Sequence, residues 1–335
     1  MARSPRPKLF AMESARGRPR QWPRVSPARV LVASLLAVAA ATAGFLLWRV
    51  WPLTDTGAGV IVGAPAPTVP GDQTPGKGGS GLPPMSAATA VTRRFPGVSA
   101  SAAIVVDAAT GRVIWERRPH ARLPVASLTK LMTALVVAHS APRLDRRFAV
   151  TPGMLGVPGY TIGLRAGQRV TVREMLAAML VASANDAANV LAVHRAGSIR
   201  GFVALMNRAA RRLGLADTHY SNPSGIFDAG NRSSAWDVGD LARRFMQVSE
   251  LRAMVRRKVY ATSATTGYVS RNLLLWSYRG AVGIKTGSTT AAGDCVAAAA
   301  TRRGRTLIVV LLHARGDQFT SARALLDFGF RHDRR

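Results

Sequence analysis

A serine and a lysine stand three residues apart at the start of an apolar segment, PVASLTKLMTALVV at residues 124–137. Residues three apart share a face of a helix, so Ser127 and Lys130 are expected to touch if a helix begins at or just before the serine. A helix N-terminus favours an oxyanion and disfavours a lysine cation. The pair therefore predicts a nucleophile beside its base, while a serine cap with a solvated lysine is the ordinary alternative.

Lysine is rare in this chain. Of its 46 basic residues only five are lysine, namely Lys8, Lys77, Lys130, Lys258 and Lys285. A lysine amine can give up its proton and act as a base, whereas the guanidinium of arginine stays charged. A lysine at position 130 is thus what a general base beside Ser127 requires.

A second short motif, VASANDAAN, contains Ser183, Ala184 and Asn185 between two helical stretches. A loop position allows the side chains of Ser183 and Asn185 to project into a cleft instead of packing in the core. The alternative is that these residues, or Asp186, only cap a helix. The motif on its own therefore decides little.

The third motif, GIKTGSTTAAG, places Lys285, Thr286 and Gly287 at the end of a short strand. Its glycines permit a close approach of a substrate backbone. The alternative is an ordinary edge strand whose exposed lysine discourages aggregation.

The pattern of the remaining chain predicts an antiparallel sheet built from both ends of the folded part. SAAIVVDAATGRVIWERR indicates a hairpin with strands near 101–107 and 111–117, and three more strands with a turn at 302–305 precede a closing helix, SARALLDFGF. Between these ends, apolar residues recur at three and four in KLMTALVVAH, TVREMLAAMLVA, DAANVLAVHRAG and GFVALMNRAARRLGL, which predicts helices. Five short strands satisfy their hydrogen bonds in one sheet, and catalytic groups are expected where sheet and helices meet.

An uncharged apolar run, residues 30–48, follows a basic N-terminus, and its 19 residues are long enough to cross a bilayer core of roughly 30 Å. It is a membrane anchor or an export signal, and its length favours an uncleaved anchor. The excess of arginine and lysine in residues 1–29 predicts a cytoplasmic tail and an extracytoplasmic catalytic domain. Residues 52–86, rich in proline and glycine, indicate a flexible linker.

Residues 87–335 are expected to form one catalytic-sized domain with a net charge of +22. An exported domain does not meet nucleic acid, and the sequence has no nucleic-acid motif, so anionic wall polymers or lipid headgroups are the expected counterparts of this charge. The scattered histidines and the single Cys295 have no metal-ligand spacing. Neither a metal nor another cofactor is predicted.

The three motifs together, serine-x-x-lysine, serine-x-asparagine and lysine-threonine-glycine, form in this order the set of penicillin-recognising serine enzymes. Over about residues 95–330 the chain resembles the D-alanyl-D-alanine carboxypeptidases, low-molecular-weight penicillin-binding proteins that trim peptidoglycan stem peptides. SLTKLMTALV, SANDAA, ALMNRAARRLGLADTHYSNPSG and GIKTGSTTAAG carry the resemblance. It implies an α/β (α+β) fold of the β-lactamase/transpeptidase-like type, a five-stranded antiparallel sheet flanked by helices with an inserted helical region.

The resemblance also implies how the first two motifs act. Ser127 would be the acylated nucleophile, and Lys130 the base that takes its proton. Ser183 would relay a proton to the leaving amine, and Asn185 would hold the substrate amide.

The third motif would bind the end of the substrate. Lys285 and Thr286 would bind its terminal carboxylate, with Gly287 allowing a close approach. The backbone N–H groups of Ser127 and Ser288 would form the oxyanion hole. β-Lactams, which imitate the D-Ala-D-Ala terminus, are the expected inhibitors.

The chain departs from the family pattern near its end. It stops 48 residues after Gly287, where many members continue into a β-rich domain and a C-terminal amphipathic anchor. Members also often place an arginine just before the final helix to help bind the carboxylate. Here Gln318 falls near that position, and Arg315 is the alternative.

Three other functions remain open beside the carboxypeptidase. A D,D-endopeptidase that cuts crosslinks needs the same residues, and a non-enzymatic wall-binding protein would retain them as relics. A β-lactamase needs a further base for deacylation. Between residues 186 and 249 there is no glutamate, only aspartates expected to serve as caps or turn residues: Asp186, Asp217, Asp228, Asp237 and Asp240.

Overall fold

The structure, a computed structural model, describes residues 82–86, 98–140, 143–226, 230–262 and 267–332. The strands of these parts are β1 (Ala100–Asp107), β2 (Val113–Arg117), β3 (Leu123–Pro124), β4 (Arg147–Ala149), β5 (Arg169–Thr171), β6 (Arg232–Ser233), β7 (Val259–Ala261), β8 (Gly267–Val269), β9 (Ala281–Thr289), β10 (Gly293–Arg302) and β11 (Arg305–Ala314). Five of them form one antiparallel sheet in the order β2-β1-β11-β10-β9. The predicted fold class and the predicted sheet are confirmed.

Eight α-helices lie in the described parts: α1 (Lys130–Ser140), α2 (Val172–Ala177), α3 (Asn185–Ala196), α4 (Ile199–Arg212), α5 (Ala235–Gln247), α6 (Ser249–Val255), α7 (Leu274–Ser277) and α8 (Gln318–His332). The first seven stand between β2 and β9, so the helical region is inserted between the two chain ends that build the sheet. The four predicted helices agree with α1 to α4 within a few residues, except that the second continues into a π-helical turn, Ala178–Ala182.

Both faces of the sheet are buried, which explains the almost continuous apolar runs of its central strands. Because side chains alternate along a strand, Ile308 and Val310 of β11 pack toward the inserted helices, whereas Val309 and Leu311 pack toward α8. The sheet is therefore the common wall of two hydrophobic cores.

The hairpin between β10 and β11 turns where the basic residues were predicted, with Arg302 opposite Arg305. Three smaller ribbons, β3 with β6, β4 with β5, and β7 with β8, join parts of the helical region. Their strands of two or three residues are too short to show an alternating pattern, so the sequence did not predict them.

The end of the predicted linker contacts the domain. The Arg243 guanidinium donates to the Pro83 carbonyl at 3.0 Å, and Ser86 forms a β-bridge with Arg112. Met85 packs against the core. Arg243 is fully buried and also donates to the Ala108 carbonyl at 3.2 Å.

Within the residues that the structure describes, no helix has the length and apolar character needed to cross a membrane. The predicted membrane segment, residues 30–48, lies outside them.

Candidate active site

The nucleophile motif lies at the junction of a short helical turn and α1. Residues Ala126–Thr129 form a 3₁₀ turn, and Lys130 is the first residue of α1. The Lys130 Nζ atom is 2.9 Å from the Ser127 Oγ atom, so the contact predicted from the three-residue spacing is confirmed. Ala126, directly before the serine, has a φ of +46°, a backbone conformation that costs energy in a non-glycine residue and clusters at functional sites.

Lys130 is fully buried and has three oxygen neighbours. Besides Ser127, its Nζ atom donates to the Asn185 side-chain oxygen at 2.8 Å and to the Ser224 carbonyl at 2.7 Å. These two oxygens only accept hydrogen bonds, whereas a hydroxyl can also donate. A neutral amine has two N–H donors and one lone pair, so with both donors occupied the lone pair points at the Ser127 hydroxyl. This geometry suits proton abstraction from the serine.

The orientation of Asn185 follows from its second contact. The Asn185 Nδ2 group donates to the Pro158 carbonyl at 2.9 Å, so the side-chain oxygen faces Lys130. The Asn185 backbone N–H donates to the Tyr160 carbonyl at 2.8 Å. The amide is thus held by the loop before β5, and its position at the start of α3 agrees with the predicted break between two helices.

Ser183 lies two residues before Asn185, where the π-helical turn ends. It is buried and has a φ of +67°. A π-helical turn inside a helix is frequently found at functional sites, and a serine in the left-handed region is uncommon. The π-helical turn follows α2, and Ser183 lies between the end of this turn and the start of α3 at Asn185.

Lys285 and its neighbours lie in the middle of β9, a nine-residue strand at the edge of the sheet, and not at the end of a short strand as predicted. The Lys285 side chain is only 2% exposed, and its Nζ atom donates to the Thr286 carbonyl at 2.8 Å. The alternative of an exposed, protective edge lysine is therefore wrong. Ser288, in contrast, is exposed and lies opposite Asp294 of β10.

Gly287 allows β9 to approach the nucleophile. A Cβ atom at this position would lie 2.6 Å from the Ser127 backbone nitrogen, closer than any side chain permits. The third motif and the first motif are thus in direct backbone contact, as the prediction of a shared site requires.

The two motif lysines have altered proton affinities. Burial lowers the pKa of Lys130 well below its usual range, and the positive charges of Lys285 and Arg271 lower it further. Burial, with a contribution from Arg271, lowers the pKa of Lys285 to about 7. A lysine whose pKa is lowered in this way is suited to the role of a base.

A buried asparagine that the sequence did not reveal, Asn231, stabilises the turn before Ser224, whose carbonyl is the third partner of Lys130. Asn231 accepts from the backbone N–H groups of Ser221 and Asn222, and donates to the Thr129 hydroxyl at 3.1 Å. It therefore ties the turn that leads to Ser224 to the turn that contains Ser127. The residues of SNPSG are typical of a tight turn, but nothing in them indicates that the Ser224 carbonyl accepts a hydrogen bond from Lys130.

Gly225 follows Ser224 with a φ of +79°, and a Cβ atom there would lie 1.9 Å from the Ala126 carbonyl oxygen. Only glycine fits this contact. The loop and the nucleophile turn are consequently packed backbone to backbone.

The aspartates considered as a second base have other partners. Asp186 accepts from the backbone N–H groups of Ile162 and Leu164, and so fixes the loop before β5 instead of only capping α3. Three other aspartates accept hydrogen bonds from side chains outside the cluster around Ser127. Asp217 accepts from Arg122, Asp237 from Thr218, and Asp240 from Arg244. Asp228 lies outside the described residues.

Across the described residues, no group of three or more histidine, cysteine, aspartate or glutamate side chains is arranged to hold a metal. Cys295 is buried on β10, and burial raises the pKa of its thiol to about 12. A thiol with this pKa stays protonated and packs as a small apolar group.

Ser127 and the buried Lys130 lie between a five-stranded sheet and a helical region, with the second and third motifs around them. This arrangement defines the class of penicillin-recognising serine enzymes. A family model described as D-alanyl-D-alanine carboxypeptidase, Peptidase S11, matches residues 88–316. The chain belongs to this family.

The chain is similar to the D-alanyl-D-alanine carboxypeptidases DacF of Bacillus subtilis (30% identity, 69% of this chain, 62% of that one) and DacC of Escherichia coli (35%, 74% and 65%). It thus spans slightly less than two thirds of their length. It is also 32% identical to the D-alanyl-D-alanine endopeptidase of Escherichia coli, over 68% of this chain and 76% of that one. Among solved structures, the Streptomyces K15 DD-transpeptidase has a TM-score of 0.66 and 30% identity, over 71% of this chain and all of that one.

Proposed function

We propose that the protein is a serine D-alanyl-D-alanine carboxypeptidase that removes the terminal D-alanine of peptidoglycan stem peptides through an acyl-enzyme. The observation that carries this proposal is the environment of Lys130. The Lys130 Nζ atom is within hydrogen-bond distance of two oxygens that only accept and of the Ser127 hydroxyl, so in the neutral amine the lone pair is left to this hydroxyl. The names of the two carboxypeptidase relatives support the substrate class.

In the proposed reaction the Ser127 Oγ atom attacks the carbonyl carbon of the penultimate D-alanine while its proton passes to Lys130. The backbone N–H groups of Ser127 and Ser288 bind the oxyanion. The C–N bond then breaks, and the leaving amine receives a proton relayed through Ser183. Water afterwards attacks the ester, which releases the shortened peptide and restores the serine.

We propose the roles of the remaining site residues from the family resemblance, and their place near Ser127 supports these roles. Asn185 is proposed to hold the substrate amide in addition to Lys130, and Lys285 and Thr286 to bind the terminal carboxylate. Gly287 lets β9 approach the nucleophile turn closely, which brings the third motif beside Ser127. The pocket formed in this way would also accept the carbonyl and carboxylate of a β-lactam.

A crosslink-cutting D,D-endopeptidase is the second candidate, because one relative carries that name and the chemistry at the serine is the same. The engagement of four described aspartates by other groups disfavours a β-lactamase. A non-enzymatic wall-binding protein would not need a lysine with lowered proton affinity beside a serine.

We further propose the arrangement of the whole chain. Residues 1–29 form a cytoplasmic tail, 30–48 a membrane anchor, 52–86 a linker, and 87–335 the extracytoplasmic catalytic domain. The charge of the catalytic domain suits an anionic wall polymer or membrane surface. Fractionation of cells that express the full chain tests the anchor. We expect the protein to be retained in washed membranes.

Incubation of the full chain with purified muropeptides tests the activity. Release of free D-alanine from pentapeptide stems, absent in Ser127→Ala, is the expected result. Cleavage of crosslinked dimers without release of terminal D-alanine would favour the endopeptidase. No reaction together with no labelling by a fluorescent penicillin would contradict an enzymatic role.

A further inference from the structure

The Ser224 carbonyl contacts Lys130 from a turn that lies outside the helices and strands. This turn, residues 221–225, stands between α4 and β6. The Lys130 Nζ atom is 2.7 Å from the carbonyl oxygen, so a small displacement of the turn would change the partners of the lysine. The position of the turn is fixed by side chains, which donate to its backbone or accept from it.

Two asparagine side chains hold the turn in series. The Asn231 side-chain oxygen accepts from the backbone N–H groups of Ser221 at 2.6 Å and Asn222 at 3.1 Å. The Asn231 amide group donates to the Asn222 carbonyl at 3.1 Å. The Asn222 side-chain oxygen in turn accepts from the backbone N–H groups of Ser224 at 3.0 Å and Gly225 at 2.7 Å. The direction of the Ser224 carbonyl thus depends on Asn231 through Asn222.

The same asparagine is joined to the nucleophile turn, Ala126–Thr129. Its amide group also donates to the Thr129 hydroxyl at 3.1 Å, between Ser127 and Lys130 in the chain. Asn231 directly precedes β6, which pairs with β3, the strand that leads into the nucleophile turn. The side chain is buried, and its oxygen and its N–H groups are all engaged. The amide is therefore a fixed bridge between the nucleophile turn and the turn that contains Ser224.

The side chains of this network are all neutral. The charges that act on Lys130 come from other elements, from Lys285 on β9 and from Arg271 after β8. The network therefore sets the distance and direction of a hydrogen-bond acceptor and leaves the charge of the site unchanged. An amide suits this task because its oxygen only accepts and its N–H groups only donate, so the two sides of the bridge cannot exchange roles.

We propose that Asn231 is a positioning residue that holds the Ser224 carbonyl against Lys130 and so directs the lone pair of this lysine at Ser127. The inference rests on the proposed peptidase function, in which Lys130 takes the serine proton. If the carbonyl moves away, one N–H group of the neutral amine loses its acceptor. The amine can then rotate, and its lone pair no longer faces the serine hydroxyl.

The rate of acylation by a fluorescent penicillin, measured across pH on the full chain and expressed per folded molecule, tests the inference. Asn231→Ala removes the bridge and should slow acylation about 10- to 100-fold, since a misplacement of about 1 Å can cost about 100-fold in rate. The protonated amine also loses an acceptor, so the pKa of Lys130 should fall. The rise of the rate with pH should therefore begin at a lower pH than in wild type.

Asn231→Asp should shift the pH dependence in the opposite direction. The carboxylate keeps the two backbone donors of the asparagine oxygen, which favour its ionised form, and it lacks the N–H groups. A negative charge in the network stabilises the protonated form of Lys130, so the rise of the rate should begin at a higher pH. A residue that only stabilised the fold would not produce opposite shifts in these two variants.

A partner variant and a matched control separate positioning from general damage to the loop. Thr129→Val removes only the acceptor on the nucleophile turn and should slow acylation less than Asn231→Ala does. If Asn231→Ala does not fold, Thr129→Val and the pH shift of Asn231→Asp decide. Asn207 exchanges two hydrogen bonds, of 2.8 Å and 2.9 Å, with the backbone of Tyr220, directly before the turn. Asn207→Ala should lower the free energy of unfolding and acylate with the rate and pH dependence of wild type.

Three results would overturn the inference. They are wild-type rates and pH dependence in the Asn231 variants, shifts of the same direction in both of them, and an equal slowing in Asn207→Ala. Failure of the proposed function is distinguishable, because it would appear as an absence of penicillin labelling in the wild type.

Discussion

The two faces of the central sheet bury very different side chains. Toward α8 the described core is apolar, with Val105, Leu311 and Leu326 almost inaccessible to solvent. Toward the inserted helices the sheet also packs against apolar groups, but at its β9 edge it buries Lys130 and Lys285. The first face packs apolar groups, whereas the second also buries the two lysines of the candidate site.

The difference shows where the fold gives up stability. A buried amine loses its hydration. The free-energy cost of this loss is lower when the amine is neutral and its N–H groups are hydrogen-bonded. Lys130 satisfies this condition through Asn185 and Ser224. The same desolvation that destabilises the charged lysine makes it a base, so stability and chemistry are opposed at this end of the sheet.

The largest expected effect comes from removing the base while keeping the charge. Lys130→Arg should reduce the rate of acylation by penicillin by on the order of 10² to 10⁴, because a guanidinium cannot accept the serine proton. Stopped-flow or gel-based labelling with a fluorescent penicillin measures this rate. Lys258→Arg, at an exposed lysine, is the matched control and should label like wild type. Unchanged labelling of the first variant would remove Lys130 from the role of base.

The opposite face should respond in stability and not in chemistry. Leu326→Ala should lower the free energy of unfolding by about 2–5 kcal/mol, since the site is fully buried among apolar groups. Leu273→Ala, at a leucine that is 54% exposed, should change it by about 0.5 kcal/mol or less. Denaturant unfolding measures both. A reduced acylation rate per folded molecule of Leu326→Ala would mean that the two faces are not independent.

The cost of burying Lys285 should appear as a dependence of stability on pH. The pKa of Lys285 is about 7 in the folded protein and 10.5 for an ordinary lysine, so between these two pH values the unfolded chain binds more protons. The free energy of unfolding of wild type should therefore rise with pH from 7 to 10 relative to Lys285→Met, by on the order of a few kcal/mol. Parallel pH profiles for the two proteins would show that Lys285 is charged in the folded state.

The smallest expected effect lies away from both faces, at the N-terminus of α2. The Thr171 hydroxyl accepts the Glu174 backbone N–H at 3.0 Å, and the Glu174 carboxylate accepts the Thr171 N–H at 2.7 Å. Thr171→Ala should cost about 1 kcal/mol in the free energy of unfolding and leave acylation intact. Thr161→Ala, at an exposed threonine outside any helix, serves as the control in the same denaturant titration.

The sequence predicted those features that depend on local spacing. The contact of Ser127 with Lys130 follows from three residues in a helical turn, and the long strands follow from their apolar runs and turns. The burial of Lys285 could not be predicted in this way, because alternation along a strand tells which residues share a side but not what covers that side.

The partners of the site came from far along the chain or from the backbone. The Ser224 carbonyl stands 94 residues from Lys130, and the Pro158 carbonyl that orients Asn185 is 27 residues away from it. A carbonyl oxygen is present in every residue, so no residue type marks it for this use.

The most direct test of the account is the fate of penicillin on Ser127. Acylation needs only the groups assembled around this serine, whereas release needs a second base, and the four described candidate aspartates are held by other partners. Intact-mass spectrometry of the full chain should reveal a single penicilloyl adduct that persists far longer than a peptide acyl-enzyme and is absent in Ser127→Ala. Rapid turnover of penicillin without an accumulated adduct, or an adduct that survives in Ser127→Ala, would contradict the account.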